Sequence, residues 1–176
     1  MPTDDGACAH LKGEKVPSLQ LSATSGSKVD LSQQSGLTIA FIYPRTGAPG
    51  EIVGDDWNSI PGARGCTPQA CSFRDHTDDL ASAGVDHVFG ISVQDTPYQQ
   101  EVKQRLELPY ELLSDEELRF ADALKLPTFD WEGKRVMRRV TLAIHDGKIE
   151  HVWYPVFPPN ESAAEVLKWL KNGRKA

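Results

Sequence analysis

Two cysteines, Cys66 and Cys71, lie five positions apart in the segment Gly-Cys-Thr-Pro-Gln-Ala-Cys-Ser-Phe-Arg-Asp that spans residues 65–75. A loop rich in glycine and proline precedes this segment, and Gly65 and Pro68 indicate that a helix begins there. Backbone N–H groups and the positive end of a helix stabilise a thiolate, so we expect Cys66 to be a nucleophile. A second cysteine nearby can trap an oxidised form of the first. The pair is therefore interpreted as a redox centre.

The spacing of the pair also predicts a conformational change. Residues i and i+5 of one helix have Cα atoms about 8–9 Å apart, beyond the limit of about 7 Å for a disulfide. A bond between Cys66 and Cys71 would therefore require the first helical turns to unwind. Buried packing is the ordinary alternative for a cysteine. A metal site is disfavoured because no second Cys/His pair follows, and the Cys-x-x-Cys of dithiol oxidoreductases is absent.

Composition limits the class of protein. A chain of 176 residues with a formal charge of −6 is expected to bind neither nucleic acid nor an anionic membrane surface. No apolar run approaches the ~20 residues of a membrane span, and the polar N-terminus lacks the pattern of a secretory signal. Three cysteines do not form a disulfide framework and favour a reducing compartment. These features predict a soluble, cytoplasmic enzyme.

The surrounding pattern predicts an α/β fold with a mixed central sheet and helices on both faces. A continuous apolar run at 37–43 is typical of a strand buried on both faces, and Pro44 ends it. Residues 45–65 show no periodicity, and a helix is predicted over 66–83. We expect a polar, loose arm at 1–15 and one domain over 16–176. The other predicted elements are a hairpin of 16–22 with 28–31, strands at 87–93 and 111–114, helices at 95–106, 114–124 and 162–172, and a hairpin of 138–144 with 148–154.

The segment 65–75 resembles the active-site segment of the Q-type peroxiredoxins, the bacterioferritin comigratory protein group. The resemblance extends to the strand at 37–44, to Arg-Val-Thr-Leu-Ala-Ile at 139–144 and to the hairpin that follows. It implies a thioredoxin-like fold, with Cys66 as the peroxidatic and Cys71 as the resolving cysteine. It also implies a hydrogen peroxide or organic hydroperoxide substrate, thioredoxin or a similar dithiol as reductant, and no cofactor or metal. The protein is then expected to act as a monomer or weak dimer.

One departure from the family pattern concerns the active-site hydroxyl. The family places Pro-x-x-x-Thr-x-x-Cys in one tight loop, but here Ala63 stands three positions before Cys66. We expect Pro44 and Thr46 to keep their roles, with the loop at about 47–62 inserted between them and the cysteine. Thr67 is the rival hydroxyl.

We also state expectations for an arginine, for the third cysteine and for a tryptophan. Thiolate attack on an O–O bond needs a fixed positive charge, and strand alternation allows only one of Arg138 and Arg139 to face the site. The resemblance selects Arg139. Cys8 is expected to be an exposed, incidental thiol, whereas Trp57 is either a lid over the site or packing within the loop.

The predicted function is a thiol-dependent peroxidase that passes through a Cys66–Cys71 disulfide. Two alternatives remain open at this point. One is a peroxide-sensing switch, in which the same unwinding signals to a protein partner. The other is a thioredoxin-fold adaptor without enzymatic activity.

Overall fold

The computed structural model describes residues 1–175, and within that range it forms nine strands in two sheets. They are β1 (Leu21–Ala23), β2 (Lys28–Val29), β3 (Leu37–Ile42), β4 (His87–Ser92), β5 (Glu111–Ser114), β6 (Thr128–Trp131), β7 (Lys134–Met137), β8 (Val140–His145) and β9 (Lys148–Trp153).

Six α-helices accompany these strands in the described part of the chain, together with short 3₁₀ turns at Leu31–Gln33 and Pro159–Glu161. They are α1 (Asp55–Asn58), α2 (Cys66–Asp75), α3 (Thr77–Ser82), α4 (Thr96–Arg105), α5 (Arg119–Leu124) and α6 (Ser162–Lys171).

The main sheet has seven strands in the order β2-β1-β5-β4-β3-β8-β9. Its centre, β5-β4-β3, is parallel, whereas β8 pairs antiparallel with β3 and β9 antiparallel with β8. All six residues of β3 are buried, as expected of a strand covered on both faces. The pairing of β8 with β3 brings the residue before β8, Arg139, to the carboxyl end of β3.

The two faces of the sheet carry separate apolar cores. Leu37, Ile39 and Phe41 of β3 face the core that contains Cys66 and residues of α2, α4 and α6. Ala40 and Ile42 face the opposite core, which contains α5 residues and the N-terminal segment. The predicted mixed sheet with helices on both faces is confirmed.

The helix predicted over 66–83 is divided in two at His76. The His76 ring lies 2.8 Å from the Ser72 carbonyl oxygen, and the Thr77 hydroxyl donates to the Phe73 carbonyl at 2.9 Å. Such bonds from side chains to carbonyls one turn earlier bend helices. The predicted continuous helix is therefore wrong beyond Asp75, while the part that contains both cysteines is continuous.

The helix predicted to begin at Ser114 begins instead at Arg119. Ser114 belongs to β5, and its hydroxyl donates to the Gln94 carbonyl at 2.7 Å. The buried Asp115 carboxylate accepts from the N–H groups of Phe120 and Ala121 at 3.0 and 2.9 Å. Asp115 therefore supplies the acceptor that the sequence pattern assigned to Ser114.

The hairpin of β6 and β7 was not predicted. Thr128 pairs with Met137 and Trp131 with Lys134 across a turn at Glu132 and Gly133, both of which have positive φ. The Glu-Gly turn between two alternating segments was the signal that could have identified it.

The N-terminal segment is not a loose arm in its second half. Leu11 is fully buried, the Gly13 N–H donates to the Ile149 carbonyl at 2.8 Å, and the Ile149 N–H donates to the Glu14 carbonyl at 2.8 Å. Cys8 is only 6% exposed and lies in the core beside α5. The expectation of an exposed Cys8 is wrong, because this segment covers apolar surface of the sheet. No helix among residues 1–175 is long and apolar enough to span a bilayer.

Candidate active site

Cys66 is the first residue of α2 and is 4% exposed. Gly65 precedes it in a left-handed conformation with φ of +104°, which favours glycine. A Cβ at Gly65 would also lie 2.8 Å from Pro159 Cγ. Glycine is therefore required here both for the turn into the helix and for the close packing of the helix start against the 3₁₀ turn Pro159–Glu161.

Arg139 places its guanidinium against the Cys66 thiol. It is 4% exposed, and its Nη2 lies 3.2 Å from Cys66 Sγ. The same nitrogen lies 3.0 to 3.2 Å from the carbonyl oxygens of residues 62, 63 and 64. One buried cation thus contacts the thiol and fixes the backbone of the loop that leads to it.

Gln69 accepts a hydrogen bond from the other terminal nitrogen of this guanidinium. Its Oε1 accepts from Arg139 Nη1 at 2.5 Å, and its Nε2 donates to Ser162 Oγ at 3.2 Å. Gln69 is fully buried, three positions after Cys66 on the same helix. Sequence reasoning missed this residue. Its signal was an amide at the spacing that shares a helix face with the cysteine.

Cys71 lies on the same helix as Cys66 and is half-buried. Both cysteines are free thiols, as their i, i+5 positions on an intact helix require. The structure therefore corresponds to the reduced arrangement expected from the spacing.

Within residues 1–175, Thr46 makes no hydrogen bond with Cys66. Its hydroxyl and its N–H donate to Gln94 Oε1 at 3.2 and 3.1 Å, and its carbonyl accepts from Gln94 Nε2 and the Tyr98 hydroxyl at 3.0 and 2.8 Å. Pro44 is buried two positions after the end of β3. Instead of a threonine hydroxyl, the carbonyl oxygen of Ala63 lies 3.7 Å from Cys66 Sγ. The role expected for the Thr46 hydroxyl therefore stays a prediction without a contact to support it.

Arg138 points away from the thiol, with its guanidinium over the Phe129 ring at 5.2 Å from the ring centroid. Strand alternation predicted that only one of the two arginines could face the site, and Arg139 is the one that contacts Cys66.

A cleft of about 210 Å³ opens at Cys66, and we call it the Cys66 cleft. Thr67, the rival hydroxyl, is among the residues around it. The lining residues are Arg45, Gly47, Val53, Trp57, Asn58, Arg64, Gly65, Cys66, Thr67 and Pro68.

Trp57 both lines this cleft and anchors the inserted loop. It is 4% exposed, and its ring packs against Trp131 at 4.8 Å and Phe129 at 5.8 Å between ring centroids. The Arg45 guanidinium covers it at 5.6 Å. The loop at 47–62 thus contains the short helix α1 and is fastened to the β6–β7 hairpin, although its sequence shows no periodicity.

Other titratable side chains are buried in the core that contains Cys66. The buried Tyr43 phenol lies in the same core as Cys66, and burial raises its pKa well above the usual value for tyrosine. Among residues 1–175, no three His, Cys, Asp or Glu side chains converge as a set of metal ligands.

Comparison with known proteins gives the family of the chain. The Redoxin family model matches residues 11–167. Peroxiredoxin Bcp of Escherichia coli strain K12 is 31% identical over 168 residues, covering 90% of this chain and 94% of its own length. The chloroplastic peroxiredoxin Q of Oryza sativa subsp. japonica is 30% identical over 162 residues, covering 92% of this chain and 67% of its own length.

Solved structures show the same fold. Peroxidoxin BcpB from Mycobacterium tuberculosis superimposes with a TM-score of 0.72 at 27% identity and covers 94% of this chain and 100% of its own. A cysteine-to-serine mutant of PrxQ from Xylella fastidiosa superimposes with a TM-score of 0.74 at 17% identity, covering 94% of this chain and 99% of its own. The predicted thioredoxin-like α/β class is confirmed. The chain belongs to the redoxin family and, within it, to the Q-type peroxiredoxins, the group of Bcp.

Proposed function

We propose that this chain is a thiol-dependent peroxidase in which Cys66 is the peroxidatic cysteine. The observation that carries the proposal is the contact of Arg139 Nη2 with Cys66 Sγ at 3.2 Å, together with the position of Cys66 in the lining of a cleft. A nearby fixed cation stabilises a thiolate and the negative charge that develops when an O–O bond breaks. A thiolate that lines a small cleft and a cation in contact with that thiolate are the groups that reduction of a hydroperoxide requires.

In the first step the Cys66 thiolate attacks the terminal oxygen of the hydroperoxide. An S–O bond forms and the O–O bond breaks, so that cysteine is oxidised to sulfenic acid and the peroxide is reduced to an alcohol or to water. The leaving oxygen takes a proton from solvent. Arg139 remains charged throughout and stabilises the leaving oxygen while it is negative.

Both hydrogen peroxide and organic hydroperoxides are proposed as substrates. A structure of the Xanthomonas campestris bacterioferritin comigratory protein is described in terms of alkyl peroxide reduction. That protein is 20% identical to this chain, and we propose the same class of substrate here.

In the second step the Cys71 thiol condenses with the Cys66 sulfenic acid, and a disulfide and water are formed. The start of α2 must unwind for this bond to form, because the two positions are too far apart on an intact helix. Movement of Cys66 towards Cys71 would remove its contact with Arg139. A dithiol reductant, for which we propose thioredoxin, then reduces the disulfide by exchange.

The proposal is tested by peroxide consumption coupled to thioredoxin and its reductase. The wild-type protein is expected to turn over with hydrogen peroxide, while Cys66→Ser is expected to be inactive because a serine hydroxyl is not ionised near neutral pH. Cys8→Ser is the matched control and should keep turnover. Turnover that survives in Cys66→Ser, or fails in the wild type with every hydroperoxide tried, would refute the assignment. Saturable turnover would also set aside a role as a sensor alone.

A further inference from the structure

The Cys66 cleft has two chemically different sides. Trp57 and Val53 of the inserted loop and Pro68 of α2 provide apolar surface, and Val53 is 39% exposed although it is a valine. Arg45 and Arg64 provide the charged groups. No aspartate or glutamate is among the lining residues. The cleft therefore combines a hydrocarbon-binding wall with positive charge.

The two arginines are not equally available to a ligand. Arg45 Nη2 lies 2.6 and 2.7 Å from the two carboxylate oxygens of Glu51, and its guanidinium also covers Trp57. The charge of Arg45 is thus already neutralised. Arg64 is exposed, and within residues 1–175 its side chain makes no hydrogen bond or ion pair. Arg64 is therefore the cation of this cleft that can bind an anion.

Arg64 also has a fixed position relative to the reacting sulfur. It stands two residues before Cys66, and its backbone carbonyl is held by Arg139 at 3.1 Å. The acidic residues of α1, Asp55 and Asp56, lie on the inserted loop but do not line the cleft. An anion that enters beside Cys66 thus meets a cation whose backbone is fixed, without a carboxylate in the lining.

We propose that the Cys66 cleft selects small organic hydroperoxides that carry a carboxylate a few bonds from the peroxide group. Trp57 and Val53 would pack the hydrocarbon part, and Arg64 would bind the carboxylate while the terminal peroxide oxygen faces Cys66. A volume of about 210 Å³ is below the ~300–1,000 Å³ of sites for drug-sized ligands, which favours a short carbon skeleton. This inference rests on the proposed peroxidase function and specifies its substrate class.

The experiment compares two hydroperoxides that share a carbon skeleton and differ in charge and by one methyl group. The acid 3-hydroperoxy-3-methylbutanoate is tert-butyl hydroperoxide with a carboxylate on one methyl group, and its methyl ester is the neutral control. In the wild type, kcat/KM for the acid should exceed that for the ester by about fivefold, the effect of one partly exposed ion pair. Arg64→Gln should reduce this ratio to about one, Arg64→Lys should restore most of it, and Arg138→Gln, outside the cleft, should leave it as in the wild type.

A second readout does not depend on turnover. The product alcohol, 3-hydroxy-3-methylbutanoate, should slow alkylation of Cys66 by iodoacetamide in the wild type but not in Arg64→Gln. A wild-type ratio near one, or a ratio and a protection that persist in Arg64→Gln, would overturn the inference. If hydrogen peroxide is still consumed through Cys66 in that case, the peroxidase function stands and only the substrate class is wrong. If no hydroperoxide is consumed at all, both fail.

Discussion

Cys66 and Cys8 are buried to nearly the same extent, at 4% and 6% exposed, but on opposite faces of the central sheet. Cys66 meets the guanidinium of Arg139 at 3.2 Å. Around Cys8 the charged neighbours are the carboxylates of Asp5 and Asp4, and burial together with these charges raises the pKa of Cys8 to about 12.

The comparison shows that burial alone does not decide whether a cysteine reacts. At Cys8, burial disfavours the thiolate, because a charged sulfur loses its hydration. Nearby acids add to this cost at Cys8, whereas Cys66 contacts a buried cation and lines a cleft. The neighbouring charge, and the opening to solvent, thus distinguish the candidate catalytic thiol from the structural one.

The largest effect is expected from removing that cation. Arg139→Ala should slow the reaction of Cys66 with hydrogen peroxide by about 10²-fold or more, as for loss of one preorganised group that stabilises the transition state. Stopped-flow fluorescence of the tryptophans would give the rate. Arg138→Ala is the matched control, since Arg138 faces the Phe129 ring and not the thiol.

Thermal unfolding should accompany that measurement, because Arg139 also holds the loop at 62–64. If Arg139→Ala folds cooperatively yet reacts as fast as the wild type, the charge of Arg139 does not activate Cys66.

The third cysteine, Cys71, is expected to show an effect of intermediate size. Cys71→Ser should leave the first reaction intact but stop disulfide formation, so that one equivalent of peroxide adds about 16 Da to Cys66 and excess peroxide adds about 32 Da. Intact mass and peptide mapping would show this. In the oxidised wild type, amide exchange should be faster over the first turns of α2. A Cys66–Cys71 disulfide with unchanged protection of that helix, or a disulfide through Cys8, would contradict the mechanism.

The smallest expected effect is the contribution of Cys8 to the pH dependence of the free energy of unfolding. Its pKa of about 12 in the folded protein exceeds that of an unfolded cysteine, ~8.5. The unfolded chain therefore loses this proton first, and the contribution of Cys8 to stability is present below about pH 8.5 and declines as the pH rises towards 12.

Urea unfolding of reduced protein at pH 8 and pH 10.5 would measure that decline. Between the two pH values, Cys8→Ala should lose about 2 kcal/mol less of its free energy of unfolding than the wild type. Cys71→Ala, at a half-buried position, is the control. Equal losses in wild type and Cys8→Ala would show that Cys8 is not held as a neutral thiol.

The features that were predicted correctly are those that local sequence determines. The apolar run of β3 and the glycine before Cys66 mark a buried strand and a helix start without reference to the rest of the chain. The buried position of Cys8 could not be predicted in this way. Its nearest neighbours in sequence, Ala7 and Ala9, do not indicate a buried segment, and its burial depends on contact with the distant α5 and the sheet.

The candidate site was predictable only in part for the same reason. The pairing of β8 with β3 brings Arg139 to Cys66 from 73 positions away, and a family resemblance, not local pattern, identified it. Gln69 carries no chemistry of its own and gains its role only from contact with Arg139 and Ser162. The fastening of Trp57 to the β6–β7 hairpin likewise depends on a hairpin that was not anticipated.

The most direct test of the central claim is peptide-resolved alkylation of the reduced protein by iodoacetamide at pH 6. Cys66 should be labelled much faster than Cys8 in the wild type, and the Cys66 rate should fall clearly in Arg139→Ala. In urea the two cysteines should react equally, which excludes an effect of local sequence. Equal labelling of Cys66 and Cys8 in the folded wild type, or a Cys66 rate that does not change in Arg139→Ala, would contradict the claim that Arg139 activates Cys66.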